Sequence, residues 1–335
     1  MIPHNLSFVP TPPGSWFLAR LFAIVAMLAI GAGFARAQDA QVRNYRPVFE
    51  ECRGADMTHG SGAPRFAIRR MEIDGTAMLL TVDPATLTTR LERDQDWSCA
   101  DTDDERQKNT RYIRAVRSSS APTASGAALP SDVIANGGLV RGTTTGSFIT
   151  GDLCPSLRPL DRAFLAKLEA AQSPLPIALS ISGLWLIRHR ADFGWLRDRE
   201  QAGALAITWV DHSYHHPYVP GRAVADNFLL TPGVDMRAEI LDTERLLIAG
   251  GETPSVFFRF PGLISNPALM EAAAQYHLIV LGAGAWLAKS PRARPGAVIL
   301  VHLNGNEPAG LAIFSTLLAA GKLPQPFRPI EDAPP

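Results

Sequence analysis

The chain lacks an excess of charge of either sign, with Lys plus Arg and Asp plus Glu at 32 each in 335 residues. Its arginines are scattered and form no long basic stripe, so no charged surface argues for binding nucleic acid or an anionic membrane. Cysteine is scarce, three in all, and Cys52, Cys99 and Cys154 do not have zinc-ribbon spacing. The apolar run Leu21 to Phe34 falls short of the roughly twenty residues that a membrane-spanning helix needs.

That run has a different meaning. Arg20 precedes it and Ala35-Arg36-Ala37 follows it, the pattern of an export signal with a small-residue cleavage site. Cleavage after Ala37 and a periplasmic or secreted mature protein are expected, with membrane attachment only through an uncleaved signal segment. An exported chain meets an oxidising compartment. A Cys52–Cys99 disulfide is therefore expected, with Cys154 left free. Hydrophobic residues at 46% and charged residues at 19% permit a substantial core and exclude a disordered or fibrous chain.

Residues 38–117 mix turn residues with one clear strand-like run, Ala77 to Val82, ended by Asp83-Pro84. They read as a small α+β unit stapled by the disulfide. Residues 118–145 begin with Ser118-Ser119-Ser120-Ala121-Pro122-Thr123-Ala124-Ser125-Gly126, too small and polar to pack, and read as a linker. From 146 to about 330 the pattern alternates. Short β-type runs at Phe148 to Thr150, Ile177 to Ile181, Leu205 to Val210, Val256 to Phe260, Leu278 to Leu281 and Ala297 to Val301 are separated by helical spacing, as at Leu160 to Leu168 and Met236 to Ala249. Such alternation predicts an α/β fold around a parallel sheet, open or closed into a barrel.

The polar residues fall at the ends of these runs. Trp209-Val210-Asp211-His212-Ser213-Tyr214-His215-His216-Pro217 follows the third and places His212 and His216 so that both rings face one point from a turn of helix or a tight loop. Neutral imidazole is the commonest ligand for zinc-like metals. Asp152 follows the first run, Arg259 sits near the end of the fourth and His302 ends the last. In a parallel barrel the C-terminal strand ends share one face, so an acid, histidines and an arginine are expected to converge.

These motifs resemble the polysaccharide deacetylases of the NodB-homology fold, carbohydrate esterase family four. His212-Ser213-Tyr214-His215-His216-Pro217 matches that family's His-Ser/Thr-x-x-His-Pro metal motif, Arg259-Phe260-Pro261 its Arg-x-Pro motif, and Ile299-Leu300-Val301-His302 its final histidine motif. Thr150-Gly151-Asp152-Leu153-Cys154-Pro155 matches Thr-Phe-Asp-Asp-Gly-Pro in part. The resemblance covers roughly Gly146 to Lys322. It implies a distorted (β/α) barrel and metal-assisted removal of acetyl groups from an N- or O-acetylated polysaccharide or cell-wall glycan. Asp152 would be the general base, Arg259 its orienting partner, His302 the general acid, and His212 and His216 ligands of a divalent metal, zinc by preference. Trp286, Asn304 and Asn306 are candidate sugar contacts; Trp185, Trp195 and Trp209 are further aromatics that could stack on a sugar ring, although a tryptophan in a β-run is more often core.

Two positions depart from the family pattern. Leu153 stands where the family has a metal-binding aspartate, which leaves the imidazoles one ligand short of the usual three. Asp211 or Asp226 would complete the site, or Asp152 would become a ligand, or no metal binds. Gly284-Ala285-Trp286 keeps the tryptophan of the family's fourth motif without its carboxylate, and Glu307 reads as a cap of the helix Gly310 to Ala320. A catalytically impaired glycan-binding envelope protein and a hydrolase of non-sugar amides are the alternatives.

Overall fold

The computed structural model describes residues 39–54, 63–121, 129–130, 132–290 and 292–335. The expected export segment, residues 1–37, lies outside the described residues. No helix among the described residues is long and apolar enough to cross a membrane. Ala40–Pro335 forms one compact unit.

The first part is a five-stranded antiparallel sheet of β1 (Val42–Gly54), β2 (Arg65–Ile73), β3 (Thr76–Val82), β4 (Thr89–Arg93) and β5 (Trp97–Asp101), in the order β4-β3-β2-β1-β5. Only β3 was legible as a strand. β1 and β2 carry arginine and glutamate at many positions, and Arg70 pairs with Glu50 on the neighbouring strand. Cys52 and Cys99 face each other across β1 and β5 and form the expected disulfide, while Cys154 is free and buried. Helix α1 (Arg111–Ser120) follows, capped by Thr110. It runs into the expected linker, and β6 (Ile134–Ala135), also there, pairs with β11 (Ile264–Ser265).

The remainder alternates as expected: β7 (Phe148–Leu153), α2 (Arg162–Ala171), β8 (Leu175–Ile181), α3 (Gly183–Arg188), α4 (Arg190–Gln201), β9 (Leu205–Asp211), α5 (Met236–Ala249), β10 (Phe257–Phe258), α6 (Pro267–Gln275), β12 (Ile279–Val280), β13 (Ala285–Trp286), β14 (Val298–His302) and α7 (Pro308–Ala319). Seven of these strands make one parallel sheet in the order β12-β10-β9-β8-β7-β14-β13. The sheet is the curled half-barrel of an α/β fold, and the described edge strands β12 and β13 do not pair with each other.

Strand parity divides the sheet into two faces. Ile149, Leu153, Ile177, Leu179, Ile181, Ile299 and Val301 share one apolar cluster with Phe164, Leu165 and Leu168 of α2 and Phe314 of α7. On the other face Phe148, Ala178, Val210 and Val298 share a cluster with Phe66, Ile68 and Leu80 of the antiparallel sheet and Tyr112 and Val116 of α1. The N-terminal segment, expected as a small unit of its own, is thus part of the core. A buried ion pair adds to this closure. Arg69 of β2 donates from Nε and Nη2 to the two oxygens of Glu244 on α5, at 2.7 and 2.8 Å, and Tyr45 of β1 donates to the same carboxylate.

Candidate metal and acid–base site

Asp152 and His302 are Cα partners at the C-terminal ends of the neighbouring strands β7 and β14. Arg259, just beyond β10, is fully buried and donates from Nη1 to Asp152 Oδ1 and to Thr150 Oγ1, both at 2.7 Å, and from Nη2 to the Gly282 carbonyl. Burial alone would raise the Asp152 pKa; the charges of Arg259, His212 and His302 outweigh it and bring it down to about 2. The carboxylate is therefore ionised and fixed.

The loop after β9 turns sharply. Ser213 and His216 both take the left-handed conformation, with φ of 66° and 48°, which costs a non-glycine residue about 1–3 kcal/mol and is characteristic of functional loops. The ring centroids of His212 and His216 consequently meet at 4.7 Å. His212 Nδ1 lies 2.8 Å from the Arg259 carbonyl oxygen. That oxygen can only accept, so Nδ1 carries the proton and Nε2 presents its lone pair. Nε2 is 3.8 Å from Asp152 Oδ2 and 3.6 Å from Cys154 Sγ. Cys154, His212 and His216 offer ligand atoms that all lie within 4.8 Å of one another. His216 Nε2 is buried without a hydrogen-bond partner among the described residues.

Three expectations need correction. Asp211 stands on the opposite face of β9 from His212; its Oδ1 accepts from the Ser213 amide, and burial and then Glu244 push its pKa well above the carboxylate range. Asp226 lies in a short turn of 3-10 helix and is not part of the ligand cluster. Asn304 is fully buried and donates to the Cys154 carbonyl at 2.7 Å, so it positions that loop instead of meeting sugar.

Glu307, expected to cap helix α7, makes no cap hydrogen bond with its side chain. Its Oε2 lies 2.9 Å from His302 Nδ1, a close ion pair, and accepts from Trp286 Nε1 at 2.6 Å. It therefore links Trp286 to His302 through one carboxylate. No sequence signal marked it, because the side chain arrives from the loop after β14 and not from beside Trp286. Burial would lower the His302 pKa; Cys154 and Glu307 overcome it and raise the imidazole to about 10.

Above these groups opens a cleft of about 420 Å³ lined by Cys154, His216, Tyr218, Trp286, His302 and Asn306, among others. Lys289 Nζ sits 3.3 Å over the Trp286 ring, so one face of that indole is covered. Tyr218, stacked on Phe228 at 5.2 Å, is 57% exposed and lines the same cleft. Gly262 brings Phe228 close: its φ is 62°, and a Cβ there would lie 2.5 Å from the Phe228 ring. Trp185 and Trp209 are buried in the main cluster.

No protein-family model matches the chain. Among solved structures it is similar to a family 4 carbohydrate esterase from Bacillus anthracis, with 17% identity, a TM-score of 0.43 and 59% of this chain covered against 87% of the other. It is also similar to a family 4 carbohydrate esterase from Streptomyces lividans in complex with acetate, with 21% identity, a TM-score of 0.38 and coverage of 55% and 92%. A third is a family 4 pseudoenzyme from Bacillus anthracis, with 13% identity, a TM-score of 0.39 and coverage of 57% and 67%. These three solved structures are carbohydrate esterases or a pseudoenzyme of the family that the sequence motifs resemble.

Proposed function

We propose that this chain is an exported hydrolase of the polysaccharide deacetylase type, removing acetyl groups from an N- or O-acetylated glycan with the help of a divalent metal. The observation that carries this reading is the adjacency of Asp152 and His302 on neighbouring strand ends, each held by its own charged partner, Arg259 and Glu307.

The two groups suit opposite proton transfers. Asp152, ionised throughout the physiological range, takes a proton from the attacking water. His302, protonated at neutral pH, gives a proton to the departing amine or alcohol. Arg259 keeps the carboxylate oriented through a charge-assisted hydrogen bond, and Glu307, itself held by Trp286, lies close enough to His302 to favour its charged form. The residues fit a metal, since His212 and His216 turn ring nitrogens towards one point and one of these is buried and unsatisfied. When bound there, a zinc-like ion polarises the acyl oxygen and acidifies water. Tyr218 and Asn306 line the cleft where the sugar would lie.

Acetate release from N-acetylglucosamine oligomers and from O-acetylated xylan by the purified mature protein, metal-loaded, tests this. Release that is lost in Asp152→Asn and in His302→Ala is expected. Silence on every acetylated glycan, together with retardation in a glycan-affinity gel, would replace it with the glycan-binding reading. N-terminal sequencing of the secreted form, expected to begin at Gln38, tests export.

A further inference from the structure

We propose that Cys154 is a metal ligand, and that with His212 and His216 it forms a Cys-His-His site for a zinc-type ion in place of a carboxylate-containing one. Ligation by Cys154 deepens the hydrolase reading above and rests on it only for the use made of the metal.

Strand parity explains why the ligand moves along the chain. Successive side chains of a strand point to opposite faces. Thr150 and Asp152 face Arg259, and Cys154, one step beyond β7, continues that face. Leu153 points the other way and is fully buried in the main apolar cluster. A ligand at position 153 would thus face the core here, whereas one at 154 faces the histidines.

The surrounding bonds prepare each donor. His212 spends its Nδ1 proton on the Arg259 carbonyl and turns Nε2 to within 3.6 Å of Cys154 Sγ. His216 Nε2 is buried with no partner among the described residues. The Cys154 carbonyl accepts from the buried Asn304 amide, which holds the thiol-bearing backbone in place. Cys154 is also the cysteine left outside the disulfide. Three protein ligands with a cleft on the remaining side are the arrangement of a catalytic zinc site. A thiolate among them favours zinc or cobalt over magnesium, calcium or manganese, which prefer oxygen donors.

Cobalt(II) titration of the chelator-stripped mature protein tests this without any substrate. Wild type should bind one equivalent and show thiolate-to-cobalt charge transfer in the near ultraviolet. Cys154→Ser should lose that band and bind cobalt more weakly, by at least the roughly 10–100-fold that loss of a supporting outer-shell group costs. Cys154→Asp should bind cobalt without the band. Stoichiometric binding by wild type without charge transfer would overturn the assignment, as would unchanged affinity in Cys154→Ser or failure of wild type to bind cobalt and zinc. Circular dichroism of the stripped variants checks their folding, and if Cys154→Ser does not fold the wild-type spectrum decides alone. A thiolate band in a protein inactive on every acetylated glycan would leave the ligand in place and remove only the hydrolase reading.

Discussion

Glu307 holds His302: its Oε2 lies 2.9 Å from His302 Nδ1 while accepting from the Trp286 indole. The carboxylate favours the imidazolium, so its removal should lower the His302 pKa from about 10. Glu307→Gln should therefore move the alkaline limb of the kcat profile to lower pH. The accompanying loss of rate should be smaller than the roughly 10²–10⁴-fold that a general acid contributes. An unmoved alkaline limb would place the acid elsewhere. In stability terms His302 has a raised pKa, so its contribution is complete below the ordinary value of 6.5 and is lost as pH rises through about 10.

Asp152 has the opposite sign. Its pKa of about 2 lies below the ordinary 3.8, so its stabilising contribution is present above 3.8 and is lost as pH falls through about 2. Asp152→Asn should reduce acetate release by about 10²–10⁴-fold. It should also lower Tm, because Arg259 is left buried beside a neutral partner, and breaking a buried pair costs up to about 3–5 kcal/mol. Unchanged Tm in this variant would show that Arg259 finds another partner.

Restoring the family's aspartate should fail. Leu153→Asp buries an unpaired carboxylate among Leu160, Phe164 and Leu303, at a cost of several kcal/mol. Thermal unfolding should show a large drop in Tm with no gain in zinc affinity. Tighter zinc binding by Leu153→Asp would contradict the strand parity described above.

The antiparallel sheet should not melt separately. Arg69 and Glu244 are both buried and pair β2 with α5, so Glu244→Gln should destabilise the protein by up to about 3–5 kcal/mol. Urea unfolding followed by tryptophan fluorescence and by far-ultraviolet circular dichroism should give coincident, shifted transitions. Two separated transitions would mean that the N-terminal sheet folds by itself.

Local pattern carried much of this structure. Helix α5 occupies the range its spacing predicted, Met236–Ala249, and the expected runs that start at 148, 177, 205 and 297 are strands of the parallel sheet. β1 and β2 were illegible because charged residues interrupt their apolar pattern, two of which, Arg70 and Arg69, pair with Glu50 of β1 and Glu244 of α5. β13 has only two residues, too few to leave a period.

The sequence by itself determined the alternating α/β architecture, through local periodicity, and marked Asp152, Arg259, His212, His216 and His302 as site candidates, through short motifs; the Cys52–Cys99 pairing was an expectation that the structure bears out. Tertiary structure decided the partners. Cys154 meets the histidines because strand parity turns it, and not Leu153, towards them. Glu307 meets His302 because the loop after β14 folds back over Trp286. Both contacts depend on where a side chain arrives from a different strand or loop, which spacing along one segment does not encode.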